Sequence, residues 1–321
     1  MPEDFSLWCD FVQKDFLRNE FVSLVRASLI QGATSNPSIF AKAFATPVYK
    51  QARAGLRGKN KKSIYEELAC ADIQRAAEIL KPLWERDKAL GYISLEIDPF
   101  LCDEASKSID EGKRLYKRIN MPNVMIKVPA TQAGYEVMNA LAKEGINVNA
   151  TLVFSPKQAK ECALALQQGI HYASSSIQAV ISVFVSRFDR AVDSQLEAHL
   201  RAKCGIINAM DCYEVIESFK APAIRTLFAS TGVKDGDLEP SYYIDSLIFP
   251  HSVNTAPLDA IRAFEKSQNK AQKLLMNAQN RLAFWESLQN VGISRQSFSQ
   301  NLLDEGLSAF CASFEEMLRA L

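Results

Sequence analysis

Eight short apolar runs, rich in β-branched residues and separated by longer amphipathic stretches, limit what this chain can fold into. They cover residues 7–11, 32–36, 92–98, 124–129, 147–154, 179–186, 224–230 and 243–248. The central ones, which contain VMIKVP and VISVFV, are apolar almost throughout, as strands buried on both faces must be. Helical patterns fall between them at 63–89, 103–118, 135–143 and 155–168; the last opens on Ser155-Pro156, a good N-cap and first-turn pair. Such alternation permits a (β/α)8 TIM barrel or a doubly wound parallel sheet. Neither GxGxxG nor GxxxxGK[ST] occurs, so the usual reason to expect a nucleotide-binding sheet is missing. An α/β barrel is the expected fold.

A chain of 321 residues is long enough for two domains, yet one barrel of this size is common. No linker or internal repeat divides it, so a single domain over 1–321 is expected, with extra helices near 41–90 and 258–321. The tail ends in SFEEMLRAL, and it is expected to pack across the barrel. Lys plus Arg and Asp plus Glu number 37 each, which gives no global field toward nucleic acid or anionic membrane. No run of about 18 apolar residues suggests a membrane span. Residues 1–10 lack the basic-then-apolar pattern of a signal peptide. Seven cysteines, odd in number and without a CxxC pair, suit reduced thiols in a cytoplasmic protein. Oligomeric state is left at monomer or homodimer.

The chemistry lies in the polar residues inside or at the ends of the runs. Asp10, Asn36, Glu96, Lys127, Asn149, Thr151, Ser182 and Ser230 occupy such positions. Charged groups rarely enter buried strands unless paired or functional, and barrel enzymes gather catalytic groups at the C-terminal strand ends. Lys127, amid Val124-Met125-Ile126-Lys127-Val128-Pro129, reads either as half of a buried ion pair or as an amine that desolvation makes nucleophilic. Residue pattern alone leaves both open. Arg187 follows the sixth run, where it fits a surface ion pair or a guanidinium fork on phosphate. Of the three histidines, His171 and His199 lie in helical stretches, and His251 follows the expected eighth strand. No metal-ligand spacing or Ser/His/Asp set emerges, so acid–base work falls to carboxylates.

Several segments resemble the transaldolase family. Gly32-Ala33-Thr34-Ser35-Asn36-Pro37-Ser38-Ile39-Phe40 is similar to its first signature, and Ile126-Lys127-Val128-Pro129-Ala130-Thr131-Gln132-Ala133-Gly134 to the second. SLEID at 94–98, NVNATLVF at 147–154 and SVFVSR at 182–187 match further segments. ASTGVK at 229–234 and VNT at 253–255 look like the longer-chain bacterial branch. The resemblance runs in order from about Leu7 to Pro257.

What it implies is a (β/α)8 barrel without cofactor or metal, carrying a Schiff-base lysine at Lys127 on strand four. A ketose phosphate, sedoheptulose 7-phosphate or fructose 6-phosphate, would leave a dihydroxyacetone fragment on that lysine for glyceraldehyde 3-phosphate or erythrose 4-phosphate. The resemblance makes Asp10 the acid/base for carbon–carbon cleavage, and Glu96 with Thr151 the handlers of a water. It gives Asn36, Asn149 and Ser182 the dihydroxyacetone hydroxyls, and Arg187 and Ser230 the phosphate. Phe184 stands where related fructose 6-phosphate aldolases carry tyrosine, which favours transfer over release. Shorter-chain members have a second phosphate-binding arginine soon after the serine of strand seven. Here Thr231 and Gly232 follow, and Lys234 is the nearest cation.

Overall fold

The computed structural model describes residues 4–234, 238–268 and 270–321. β1 (Ser6–Cys9) is followed by α1 (Lys14–Arg18) and α2 (Glu20–Arg26). After β2 (Gly32–Thr34) come α3 (Pro37–Phe44), α4 (Lys50–Gly55) and the long α5 (Lys61–Arg86). Three strand–helix units then repeat: β3 (Tyr92–Glu96) with α6 (Ala105–Ile119), β4 (Val124–Pro129) with α7 (Gln132–Lys143), and β5 (Asn147–Val153) with α8 (Pro156–His171). β6 (Ala179–Phe184) leads to α9 (Ser186–Val192) and α10 (Cys204–Glu217), and β7 (Ile224–Ala229) to α11 (Tyr242–Ser246). β8 (Ser252–Ala256) precedes α12 (Leu258–Lys266), α13 (Ala278–Asn290) and α14 (Arg295–Ala320). Each strand pairs in parallel with the next, and β8 pairs with β1, so the barrel is closed.

The continuous apolar strands follow from two buried faces. One set of alternating residues, including Trp8, Tyr92, Met125, Val180, Leu227 and Val253, joins a single cluster inside the barrel. The other, including Ile93, Leu95, Ile126, Val128, Val148, Ile181 and Phe228, packs with the helices. A period of two therefore sends Lys127 inward with Met125, and Glu96 inward with Tyr92. Polar residues at the C-terminal strand ends also start helices. Asn36, Thr131 and Ser155 each accept a backbone N–H in the first turn of α3, α7 and α8.

Seven of the eight expected strands form near their expected bounds; the eighth does not. Residues 242–246 are helical, and the closing strand is Ser252–Ala256. Tyr243, Ile244, Leu247 and Ile248 are buried as expected, but a short apolar run does not distinguish strand from helix by period. The true strand carries Asn254 and Thr255, so it is too polar to stand out. His251 consequently precedes β8 instead of following it. It sits at the N-terminal end of the barrel, with Nδ1 3.0 Å from Glu217 and Nε2 3.1 Å from the Pro222 carbonyl. Helices α4 and α5 lie within 41–90 and α12, α13 and α14 within 258–321, and α14 packs against α3, α5 and β5. No described helix is long and apolar enough to cross a membrane.

Candidate active site

Strand register brings the candidates together. Glu96 of β3 lies level with Lys127 of β4, and Lys127 with Asn149 of β5. The buried Lys127 Nζ donates to Glu96 Oε1 and to the Ser35 carbonyl, both at 2.9 Å. Ser35 stands beside β2, so groups from three neighbouring strand ends meet at one amine. Burial pushes the Glu96 carboxyl up to about 7, although Lys127 opposes the shift. A carboxyl titrating there can both take and give a proton near neutrality.

Asp10, just past β1, has its own support. Thr34 Oγ1 donates to its Oδ1 at 2.6 Å, and Asn36 Nδ2 approaches its Oδ2 at 3.4 Å. Thr34 has one hydroxyl proton, so the 2.7 Å contact from Thr255 Oγ1 makes Thr255 the donor there. Asp10 is partly buried, and desolvation raises its carboxyl pKa against the pull of Lys127 and these hydrogen bonds. A second chain runs from Ser182 Oγ to Asn149 Oδ1 at 2.6 Å, then from Asn149 Nδ2 to Ser94 Oγ at 3.1 Å. Asn149 keeps one N–H and one lone pair for a ligand. Thr151 Oγ1 is buried without a partner among the described residues, at the level of Pro129 and two residues beyond Lys127 in the register. Such an orphan suits a site that completes itself with water or substrate.

At the sixth and seventh strand ends, Ser186 Oγ and Ser230 Oγ lie 3.1 Å apart, with Ser230 in the left-handed region at φ 55°. The Arg187 guanidinium sits 5.1 Å from the Phe184 ring and makes no ion pair with a described residue. Burial and the nearby Arg190 lower its pKa. The roof is α14. Phe310 stands 6.0 Å from Lys127 Nζ, and a Cβ added at Gly306 would lie 3.2 Å from Arg187 Nη1. Four residues along a helix rise about 6 Å, so one stretch of α14 spans from the amine to the arginine.

A family model described as "Transaldolase/Fructose-6-phosphate aldolase" matches residues 7–321. The chain belongs to the transaldolase/fructose-6-phosphate aldolase family. A transaldolase of Helicobacter pylori (strain Shi470) is 50% identical over 317 residues, covering 98% of this chain and 99% of the relative. One from Campylobacter jejuni subsp. jejuni (strain 81-176) is 48% identical over 332 residues, covering 99% and 100%.

The geometry of this family member also qualifies the expectations drawn from its sequence. Asn36 is only partly available, because its Oδ1 caps α3 through Ile39 N at 3.0 Å. Lys234 is exposed, on the loop that continues from Ser230, and has an interaction of its own. Sequence reasoning missed Thr34, Ser94, Thr255 and Phe310. Thr34 and Ser94 lie two residues before Asn36 and Glu96, so strand alternation was a usable signal for both. Thr255 was hidden by the misplaced eighth strand. Nothing local marks Phe310, whose relation to Lys127 exists only once α14 is docked.

Proposed function

We propose that this chain is a transaldolase that moves a dihydroxyacetone unit from sedoheptulose 7-phosphate to glyceraldehyde 3-phosphate, giving erythrose 4-phosphate and fructose 6-phosphate. The observation that carries the reading is Lys127, a buried amine held by a carboxyl that titrates near 7. Its Nζ attacks the ketose C2 carbonyl, and Glu96, acting through a water that Thr151 also holds, moves the protons as hydroxide leaves to give the Schiff base. Asp10 then takes the C4 hydroxyl proton while the C3–C4 bond breaks. That electron pair passes into the Schiff base, and the aldose phosphate departs. The acceptor aldehyde is attacked by the resulting enamine, Asp10 protonates the new alkoxide, and water releases the product from Lys127.

Asn149, Ser182 and Asn36 fix the three-carbon fragment through its hydroxyls, which keeps it aligned for the second aldehyde. Arg187 and Ser230 grip the phosphate, to which a guanidinium without an ion pair among the described residues and a hydroxyl held beside that of Ser186 are suited. Phe184 adds no hydroxyl near the intermediate, which favours transfer over premature release. The free cysteines support a cytoplasmic enzyme.

Borohydride reduction in the presence of fructose 6-phosphate, followed by peptide mapping, tests the proposal. The expected result is one reduced three-carbon adduct, on Lys127. An adduct on another lysine, or none, overturns the mechanism. Release of free dihydroxyacetone in place of transfer to erythrose 4-phosphate would make the chain a lyase.

A further inference from the structure

We propose that Arg190 is the second cation of the phosphate site, reaching it from α9 and not from the loop after β7. The inference rests on the phosphate role proposed above for Arg187 and Ser230. Arg190 lies one turn along the helix from Arg187 and four residues from Ser186, so the three share a side of α9. It lines a cavity of about 250 Å³ together with Ser186, Asp189, Asp193, Gly232 and Lys234. Ser186 in turn meets Ser230 at 3.1 Å, which joins that cavity to the hydroxyl pair of the site.

In the loop after β7, the position nearest to Ser230 for a cation is closed to side chains. Gly232 occupies it, and a Cβ there would lie 2.8 Å from Pro257 Cγ, so no side chain fits without moving the ring. Lys234 is two residues further on; it lines the same cavity and has an interaction of its own. Arg190 makes no hydrogen bond or ion pair with a described residue. The two carboxylates beside it are committed elsewhere. Asp189 accepts from Gly205 N and the Tyr243 hydroxyl, both at 2.9 Å, and Asp193 accepts from Ala202 N at 3.0 Å. After burial, Arg190 is the main influence lowering the Arg187 pKa, with Glu305 opposing it, and a bound dianion would relieve that repulsion. Arg187 is half-buried and Arg190 exposed, so Arg190 is the more accessible of the two to an incoming anion.

Steady-state kinetics of Arg190→Ala, Arg190→Lys, Lys234→Ala and Arg187→Ala with fructose 6-phosphate and with fructose test the assignment, alongside the Kd of inorganic phosphate. Charge-assisted hydrogen bonds of this kind lead us to expect Arg190→Ala to raise KM for fructose 6-phosphate and the phosphate Kd roughly tenfold. Its kcat should stay within about twofold, and its loss should be confined to the phosphorylated donor. Arg190→Lys should recover part of the affinity. A KM and Kd that do not move in Arg190→Ala, or a loss that appears only in Lys234→Ala, overturn the inference. If Arg187→Ala also leaves both constants alone, the phosphate site itself is wrong. If it raises them while Arg190→Ala does not, only the present assignment fails.

Discussion

The barrel buries a cation at each end, and the two are held in opposite ways. At the N-terminal end, Arg225 of β7 donates to the carbonyls of Ala89, Asp4 and Ser252 and to Ser6 Oγ, at 2.8–3.0 Å. None of these acceptors is a carboxylate or can titrate, so the guanidinium keeps its proton although burial pushes its pKa down to about 10. At the C-terminal end, Lys127 has two acceptors, and one is a carboxyl whose own proton affinity is poised near 7. Coordination by neutral acceptors that cannot titrate makes a structural plug; coordination by a titrating partner leaves an amine that can be released for chemistry. Burial is common to both ends, so it cannot be what distinguishes a catalytic cation.

The contrast breaks down if exchange at either end gives the wrong kind of damage. Lys127→Arg keeps charge and bulk but cannot form the Schiff base, so kcat should fall by about a thousandfold or more with little change in urea midpoint. Arg225→Met should do the reverse, costing about 3 kcal/mol by leaving buried oxygens unpaired while the folded fraction still turns over. Measuring kcat and urea unfolding on both variants is sufficient. Comparable loss of stability in both would mean that Lys127 is also a structural plug.

Glu96→Gln sharpens the same contrast with a smaller effect. The amide accepts a hydrogen bond but cannot carry a proton, so turnover should drop about a hundredfold. Its effect on stability has a defined sign. The Glu96 carboxyl binds its proton more tightly folded than unfolded, so its contribution is present below its ordinary pKa near 4.5. That contribution is lost as pH rises through about 7, whereas the amide of the variant has no proton to lose there. The Tm of the variant minus that of the native chain should therefore grow between those two pH values and then level off. A difference that stays flat across the window would remove the raised carboxyl from the account.

What could be read from the sequence follows the range of the interactions involved. Lys127, Glu96 and Asp10 were visible because each is charged and interrupts or ends an apolar run, a contrast carried by adjacent residues. β8 was not, since its polar Ser252, Asn254 and Thr255 obey pairing with β1 and β7 and no local rule. The helix at 242–246 shows the converse, an apolar run whose conformation is set by what it packs on. Arg190 belongs to this second class too. It reads as an ordinary surface arginine until α9 is turned toward the loop after β7.

The roof gives the mildest test, because α14 reaches both the amine and the arginine without supplying either. Gly306 faces Leu152, Phe154 and Arg187, and a Cβ there would come within 3.1–3.5 Å of all three. Leu152 and Phe154 are fully buried and cannot yield easily, whereas the arginine head can. Gly306→Val should then push Arg187 aside or tilt α14, with Arg281, Arg295 and Trp285 anchoring the near end of the tail through Asp211. We expect a loss of about 1–2 kcal/mol in stability and a few-fold rise in KM for fructose 6-phosphate, with adduct formation on Lys127 intact. Loss of the adduct itself would show that α14 holds Phe310 over the lysine as part of the same rigid unit.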